Sequence, residues 1–342
     1  MPAQNQTRTP VAEWTANATI EGVYAANGLE VGQTKAGKPF LKGTVSDRSG
    51  RAPLRMWSVS EGKAAALGSD GFVRLKGKTS VYQGEMQIVL DRIDPAEPSA
   101  EDLAALLPST KKDVDRMFQD VLGLLATLEH PSMKCLRDRF LEDQQLMGAF
   151  CEAPAAKVMH HAWLGGLLEH TLDLMTAADR LLPLYPGLNR DLVLMGLFVH
   201  DLGKTEELTW KRGFGYTDAG NLIGHLVGGM SMLDEKIRQC ADPQLKEEIG
   251  EAAVPVPEQA AMVLRHIVIS HHGQPDFGAA KIPATPEALF VSMLDNLDAK
   301  MAMTMQAVDR GTPGKEGFTD RLWALDTRML REDPLRDPPA AG

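Results

Sequence analysis

Residues 192–204 read LVLMGLFVHDLGK, and this stretch decides how the rest of the chain is understood. The eight residues from Leu192 to Val199, apolar apart from one glycine, predict a helix buried on most sides. At its end stand His200 and Asp201, an imidazole and a carboxylate on adjacent residues that can grip one metal ion together. Outward from this pair lie His170, His225, the doublet His271 and His272, and Asp295, so the series runs H, HD, H, HH, D. A single histidine on an apolar face reads as a core residue with a buried partner. A whole series would need such a partner for each member, which favours metal ligation. Imidazole and carboxylate without thiolate suit Mn, Fe, Co, Zn or Ni, and speak for a catalytic site rather than a structural zinc or an iron–sulfur cluster. His130 and His266 fall outside the series.

At 342 residues the chain exceeds one usual domain, so two are expected, and an apolar fraction of 44% is ample for two cores. The opening MPAQNQTRTPVAEW has no apolar signal-peptide segment, and Leu192–Val199 is far too short to span a bilayer. No membrane partner and a cytoplasmic location are therefore expected. Cys135, Cys151 and Cys240, odd in number and far apart, read as reduced thiols. The net charge of −10 opposes phosphate binding by the bulk surface, but it is unevenly spread. Residues 1–95 carry 12 Lys/Arg against 9 Asp/Glu, and the remainder 24 against 37.

From about Asn17 to Ile93 short alternating runs are separated by glycine turns. Ala52, Leu54 and Met56 alternate with Arg51, Arg55 and Trp57, and Met86, Ile88 and Leu90 alternate in a later run. Five such runs predict a small barrel, and the stretches GKPFLKGTVSDRSG and GFVRLKGKTSVYQGEMQIVLDRI resemble an OB-fold that binds single-stranded nucleic acid. Basic residues interleave with aromatics there: Lys38, Lys42, Arg51, Arg55, Arg74, Lys76 and Lys78 among Tyr24, Phe40, Trp57, Phe72 and Tyr82. A cationic groove with stacking rings is what an unpaired strand requires, while half of these rings are expected to fill the barrel interior. Lys42, Trp57, Arg74, Lys76 and Tyr82 are the expected strand contacts.

Pro95 and Pro98 close the barrel, and helices follow. Thr110 and Asp113 form a capping pair ahead of an apolar face from Val114 to Leu128, and further helices are expected at about 132–150, 156–182, 190–202, 221–240, 257–272 and 286–308. A helix starting at 156 would put His160 and His161 about 15 Å from His170, too far to share its metal and better placed to meet substrate phosphate. Residues 205–220 read as a glycine-turned hairpin carrying Lys211 and Arg212. The fold class is multidomain α+β: a five-stranded barrel at 12–95, a linker with connecting helices at 96–130, an all-α bundle at 131–328 and a disordered tail at 329–342.

The series with Lys204 resembles the HD-domain metallophosphohydrolases, in the branch whose extra histidines hold two metals. With the OB-like region in front, the chain resembles the YhaM-type 3'-to-5' exoribonucleases, which join an OB-fold to an HD domain. The pieces that carry this are KPFL, LLEHTL, HDLGK, GNLIGH, SHHG and DNLDAKM, spread over about residues 12–327. The resemblance implies that His170, His200, Asp201 and Asp295 hold one divalent ion, Mn above all, and that His225, one of His271 and His272, and a bridging Asp201 hold a second. Gly166 stands where the cyclic-di-GMP phosphodiesterase branch has glutamate, and no GYP triplet occurs, so two ions are expected rather than three. Such ions lower the pKa of water, align the hydroxide with a phosphodiester and neutralise the departing oxygen. Lys204 is expected to stabilise phosphate charge as an unshared cation, with Asp201 as the central catalytic carboxylate and Asp298 orienting a ligand histidine. The implied activity is release of nucleoside monophosphates from single-stranded RNA or DNA. Hydrolysis of small or cyclic nucleotides is the alternative, and a homo-oligomer is compatible with either. A noncatalytic strand-binding protein with a structural metal fits less well, because four closed ligands would suffice for it.

Overall fold

The computed structural model describes residues 8–34, 37–57, 59, 62, 67, 71–82, 85–98, 103, 105–157, 161–210, 214–242, 254–309, 317–322, 324–331 and 335. Five strands come first: β1 (Thr19–Gln33), β2 (Pro39–Asp47), β3 (Gly50–Trp57), β4 (Gly71–Tyr82) and β5 (Glu85–Pro95). They close a barrel in the order β1-β2-β3-β5-β4, antiparallel throughout except where β3 meets β5 in parallel at Leu54↔Ile88 and Arg55↔Val89. The period-two alternation of the sequence places Leu41, Val45, Ala52, Leu54, Val73, Leu75 and Ile88 inside. A register shift opposite Lys76/Gly77 inserts an extra residue in β5, so Leu90 and Ile93 both face inward although three residues apart. Tyr24 is fully buried, packs edge-on against Trp14 and donates its hydroxyl to the Thr9 carbonyl at 2.7 Å. It is a core ring, not a stacking platform.

The helical part contains α1 (Val114–Ala126), α2 (Pro131–Leu141), α3 (Gln144–Glu152), α4 (Gly166–Leu181), α5 (Arg190–Val199), the short α6 (Lys204–Glu207), α7 (Asp218–Leu222), α8 (His225–Ala241), α9 (Glu258–Ser270) and α10 (Pro286–Asp309). A two-residue hairpin ladder, Leu208–Thr209 with Gly215–Tyr216, follows α6, while Lys211 and Arg212 lie outside the described residues. Residues Val193–Val199 of α5 are all buried, as the apolar run predicts, and they share one core with α1, α4, α8, α9 and α10. That core includes α1, which the sequence reading assigned to the connecting segment. Among the described residues no helix is long and apolar enough to cross a membrane.

Four expectations need correction. The single helix at 132–150 is two, because Asp143 caps a new one by accepting the Leu146 amide at 3.0 Å. The helix expected from 156 begins at Gly166: Gly165 adopts φ 76°, and a Cβ on Gly166 would lie 2.1 Å from the His161 carbonyl oxygen. The chain therefore doubles back there, and the rings of His161 and His170 are 5.4 Å apart instead of several turns. Asp113 alone caps α1, while Thr110 donates its hydroxyl to Glu169 on α4 at 2.7 Å. Of the expected tail, residues 329–331 are tied down, since Leu330 bridges Phe318 and the Arg331 amide donates to Gly317; the segment beyond is outside the described residues except Leu335.

The outer faces of β1 and β4 are partly covered. Ala25 and Phe72 are buried against Leu106 and Leu107 of the connecting segment, with Leu164 and Phe214 from the helical part packed on the same cluster. Backbone bonds extend the joint: Leu164 donates to Pro108 at 2.8 Å and Thr110 donates to Leu164 at 2.9 Å.

Asp143 also accepts from the buried Lys236 ammonium of α8 at 2.9 Å. Asp143→Ala is expected to lower stability by about 2 kcal/mol, half from the lost cap and half from the stranded ammonium. Asp143→Asn keeps the cap and should lose about half as much, read from urea denaturation midpoints of the two variants.

Candidate metal centre

The ends of α5 and α9 set the geometry. His200 and His271 each occupy the residue just past their helix, where the last carbonyls lack intrahelical partners. His200 Nδ1 lies 2.7 Å from the Leu197 carbonyl oxygen and His271 Nδ1 lies 2.8 Å from that of Val268. A carbonyl only accepts, so both Nδ1 atoms carry hydrogen, and each ring turns its Nε2 inward, the atom left for a metal. Carboxylates orient two further rings. Asp298 on α10 accepts from His170 Nδ1 at 2.8 Å, and Glu207 on α6 accepts from His225 Nδ1 at 3.0 Å and from the His225 amide at 3.2 Å.

All of these rings converge on Asp201, which is 2% exposed. Its Oδ2 faces His200 Nε2 at 3.4 Å, His170 Nε2 at 3.7 Å and Lys204 Nζ at 2.6 Å. Its Oδ1 faces the other way, toward His271 Nε2 at 3.4 Å and His225 Nε2 at 3.6 Å. Asp295 on α10 stands 3.4 Å from His170 Nε2, and His272 Nε2 stands 3.3 Å from His225 Nε2. The structure thus brings His170, His200, Asp201, His225, His271, His272 and Asp295 together.

Electrostatics keep two carboxylates and two imidazoles in ligating form. Burial pushes the Asp201 carboxyl up, but the Lys204 ammonium and His200 overcome it and hold the group well below the usual carboxylate range. Burial opposes ionisation of Asp295 too, and His170 reverses it. His271 is pushed down by burial, and His272 is pushed down to about 3 by burial and by His271 beside it. Between Asp295 and Asp298, His170 rises to about 9 despite its burial. The carboxylates beside His170 favour a positive charge there, which the ring proton carries and which a divalent ion would replace.

The donor set fits divalent ions. His200 Nε2, His271 Nε2 and Asp201 Oδ1 are buried without a hydrogen-bond partner, a condition that costs about 1–3 kcal/mol each unless something electrophilic sits between them. Three groupings lie close enough to take an ion: His161, His170 and Asp298, and two more around the central carboxylate, His170, His200 and Asp201 on one side and Asp201, His225, His271 and His272 on the other. The latter two share Asp201.

Other expected contacts fall differently. Lys204 is not an unshared cation, because its ammonium is largely shielded and donates to Asp201 at 2.6 Å. His161 is buried rather than open to solvent, with Nε2 at 3.0 Å from Asp298. His160 lies outside the described residues. On the barrel, Trp57 and Tyr82 are 51% and 54% exposed. Phe40 packs on Trp57 at 5.4 Å, and the Arg55 guanidinium lies over both Phe40 and Tyr82 at 5.8 Å. Lys42 belongs to the same face but pairs with Glu30 at 2.6 Å. Arg74 and Lys76 lie on β4, nearer the joint marked by Phe72, with Lys76 paired to Glu21 at 2.9 Å. The sequence reading missed Glu207, whose signal was its place three residues after Lys204 in HDLGKTEE, one helical turn from the metal motif.

An HD domain is matched over residues 167–300, a span that contains every residue of the cluster except His161. A 3'-5' exoribonuclease YhaM of Halalkalibacterium halodurans is 31% identical over 304 residues, covering 89% of this chain and 89% of its own. The chain belongs to the YhaM-type exoribonuclease family. A second YhaM, from Bacillus pumilus, is 31% identical over 298 residues, covering 86% of this chain and 88% of that protein. Among solved structures, a chain of a replication protein A heterotrimer bound to ssDNA matches with a TM-score of 0.21 and 13% identity over 29% of this chain and 73% of that one, too slight a likeness to argue from.

In this YhaM-type chain the glycine of HDLGK has a steric reason. A Cβ on Gly203 would lie 2.1 Å from the His225 carbonyl oxygen and 2.6 Å from the Gly229 nitrogen, so only glycine lets α8 approach closely enough to aim His225 at Asp201. Gly203→Ala is expected to destabilise by about 2 kcal/mol or more. Gly148→Ala, in open space within α3, should instead stabilise by up to about 1 kcal/mol. Thermal melts of the two variants check the contrast.

Proposed function

We propose that this chain is a metal-dependent 3'-5' exonuclease that hydrolyses single-stranded RNA, with DNA as a second substrate, and releases nucleoside monophosphates. The observation that carries the reading is the division of Asp201, one oxygen toward His170 and His200 and the other toward His225 and His271, in a chain that matches exoribonucleases along nearly its whole length.

Two divalent ions, Mn before the others, are the cofactors this reading requires. His170, His200, Asp201 and Asp295 would hold one, and Asp201, His225, His271 and His272 the other. Bound there, they supply water activation and neutralise charge on the phosphodiester. The chain's own contribution is preparation. Asp201 and Asp295 stay ionised, the Leu197 and Val268 carbonyls turn two Nε2 atoms inward, and Asp298 and Glu207 orient two more rings. Lys204 limits the negative charge that accumulates when Asp201 is not neutralised by metal.

The barrel, at 12–95, would hold the strand through the exposed face of Phe40, Arg55, Trp57 and Tyr82, with Lys42, Arg74 and Lys76 supplying charge, and the bundle at 131–328 would cut it. A face of stacking rings fits a strand better than a small nucleotide. Cys135, Cys151 and Cys240 are free thiols, a state that supports a cytoplasmic enzyme.

End-labelled RNA incubated with Mn2+ should give a descending ladder from the 3' end, and EDTA should abolish it; an intact oligonucleotide in the presence of Mn2+ would overturn the reading. Asp201→Asn is expected to remove activity and lower metal content while the protein still melts cooperatively. Glu207→Ala should cost about 10- to 100-fold in activity or metal affinity, a smaller loss. Trp57→Ala and Tyr82→Ala should each weaken single-strand binding by about 1–3 kcal/mol with little change in melting temperature, since both rings are half exposed.

A further inference from the structure

Beside the histidine cluster, the end of α9, the segment after it and α10 enclose a pocket of about 220 Å³. Its wall toward the cluster is His272, whose Nε2 lies 3.3 Å from His225 Nε2. The remaining walls are of two kinds. Phe277, Ile282 and Met293 are apolar and exposed, at 69%, 57% and 58%, while Gln274 and Asn296 contribute amides. Large apolar side chains left open around a concavity, with a few polar groups between them, describe a site for a flat apolar ligand with polar edges. A volume below the roughly 300–1,000 Å³ of sites for drug-sized ligands admits one nucleoside and excludes two.

Helix α10 builds both sites at once. Asp295 faces the cluster, and its neighbour Asn296, one helical turn from Met293, faces the pocket. A group seated in the pocket is thereby held next to the candidate metal ligands, within the reach of a single nucleotide.

The geometry points to this pocket as the seat of the 3'-terminal nucleoside of the strand, an inference that rests on the exonuclease reading above. The base lies on Phe277 between Ile282 and Met293, and Gln274 and Asn296 meet its edge. Each amide offers both a donor and an acceptor, so the pair can turn to suit any of the four bases. The pocket therefore grips a nucleobase without strongly selecting one, and it places the terminal phosphodiester at the metals.

Equilibrium binding to the manganese-loaded full-length enzyme tests this directly, with adenosine 5'-monophosphate and ribose 5-phosphate as probes. The wild-type protein should bind the nucleotide about tenfold more tightly than the sugar phosphate, the increment being the worth of a stacked base. In Phe277→Ala and in Met293→Ala, both surface substitutions, that increment should shrink to about twofold while the affinity for ribose 5-phosphate is retained. Equal affinity of the wild type for the two probes, or an increment that survives in both variants, overturns the assignment. The RNA ladder separates the two readings. An increment that behaves as expected in a protein that leaves RNA intact sinks the exonuclease reading and keeps the pocket as a mononucleotide site. A normal ladder with no increment does the reverse.

Discussion

A carboxylate held ionised at the centre of a helical bundle is the constraint around which this structure is arranged. An isolated buried carboxylate would take up a proton or open the fold. Asp201 stays charged because an ammonium and four imidazoles surround it, delivered by α4, by the ends of α5 and α9, and by the starts of α6 and α8. Five elements meet at one side chain, so the packing of the bundle and the geometry of the site are a single problem. The close approach of α6 and α8 at Gly203 is one place where backbone packing directly sets a ligand direction.

Each imidazole is oriented by its outer nitrogen. Two use carbonyls that a helix end leaves unpaired, and two use carboxylates from neighbouring helices. The first device comes with the position of the histidine and needs no further residue, which explains why HD and HH sit immediately after apolar helices. The second needs a partner from elsewhere, Asp298 or Glu207, and ties α4 to α10 and α8 to α6. Burial and charge bear on the protonation of the cluster, and the buried Nε2 and Oδ1 atoms left without a hydrogen-bond partner fit a cation.

The barrel has a simpler logic. Its interior is filled by alternate residues and its outer surface is divided between two tasks. One sector, around Ala25 and Phe72, is given up to the joint with the helical part, and another carries Phe40, Arg55, Trp57 and Tyr82 to solvent. Lys42 and Lys76, the most obvious cations by sequence, are already paired with acids across the strands, so nucleic acid would have to displace Glu30 and Glu21 to use them.

Much of this was legible in the sequence. Period-two alternation determined the barrel and its inward residues, the apolar run before His200 determined the central helix, and the order H, HD, H, HH, D determined which side chains meet, because local periodicity and residue chemistry are written position by position. What it could not determine were relations between segments distant along the chain. His161 looked remote until the Gly165–Gly166 turn folded it back beside His170; Lys204 looked free until its ammonium met Asp201; Tyr24 looked like a stacking ring until the barrel closed over it. Glu207 carried only its place one turn after Lys204 as a signal, since its role depends on where α8 begins in space. The sequence by itself determined which groups this protein brings to its site, and only the tertiary structure decided which face of each group is used, because a hydrogen bond spends one atom and leaves the other free.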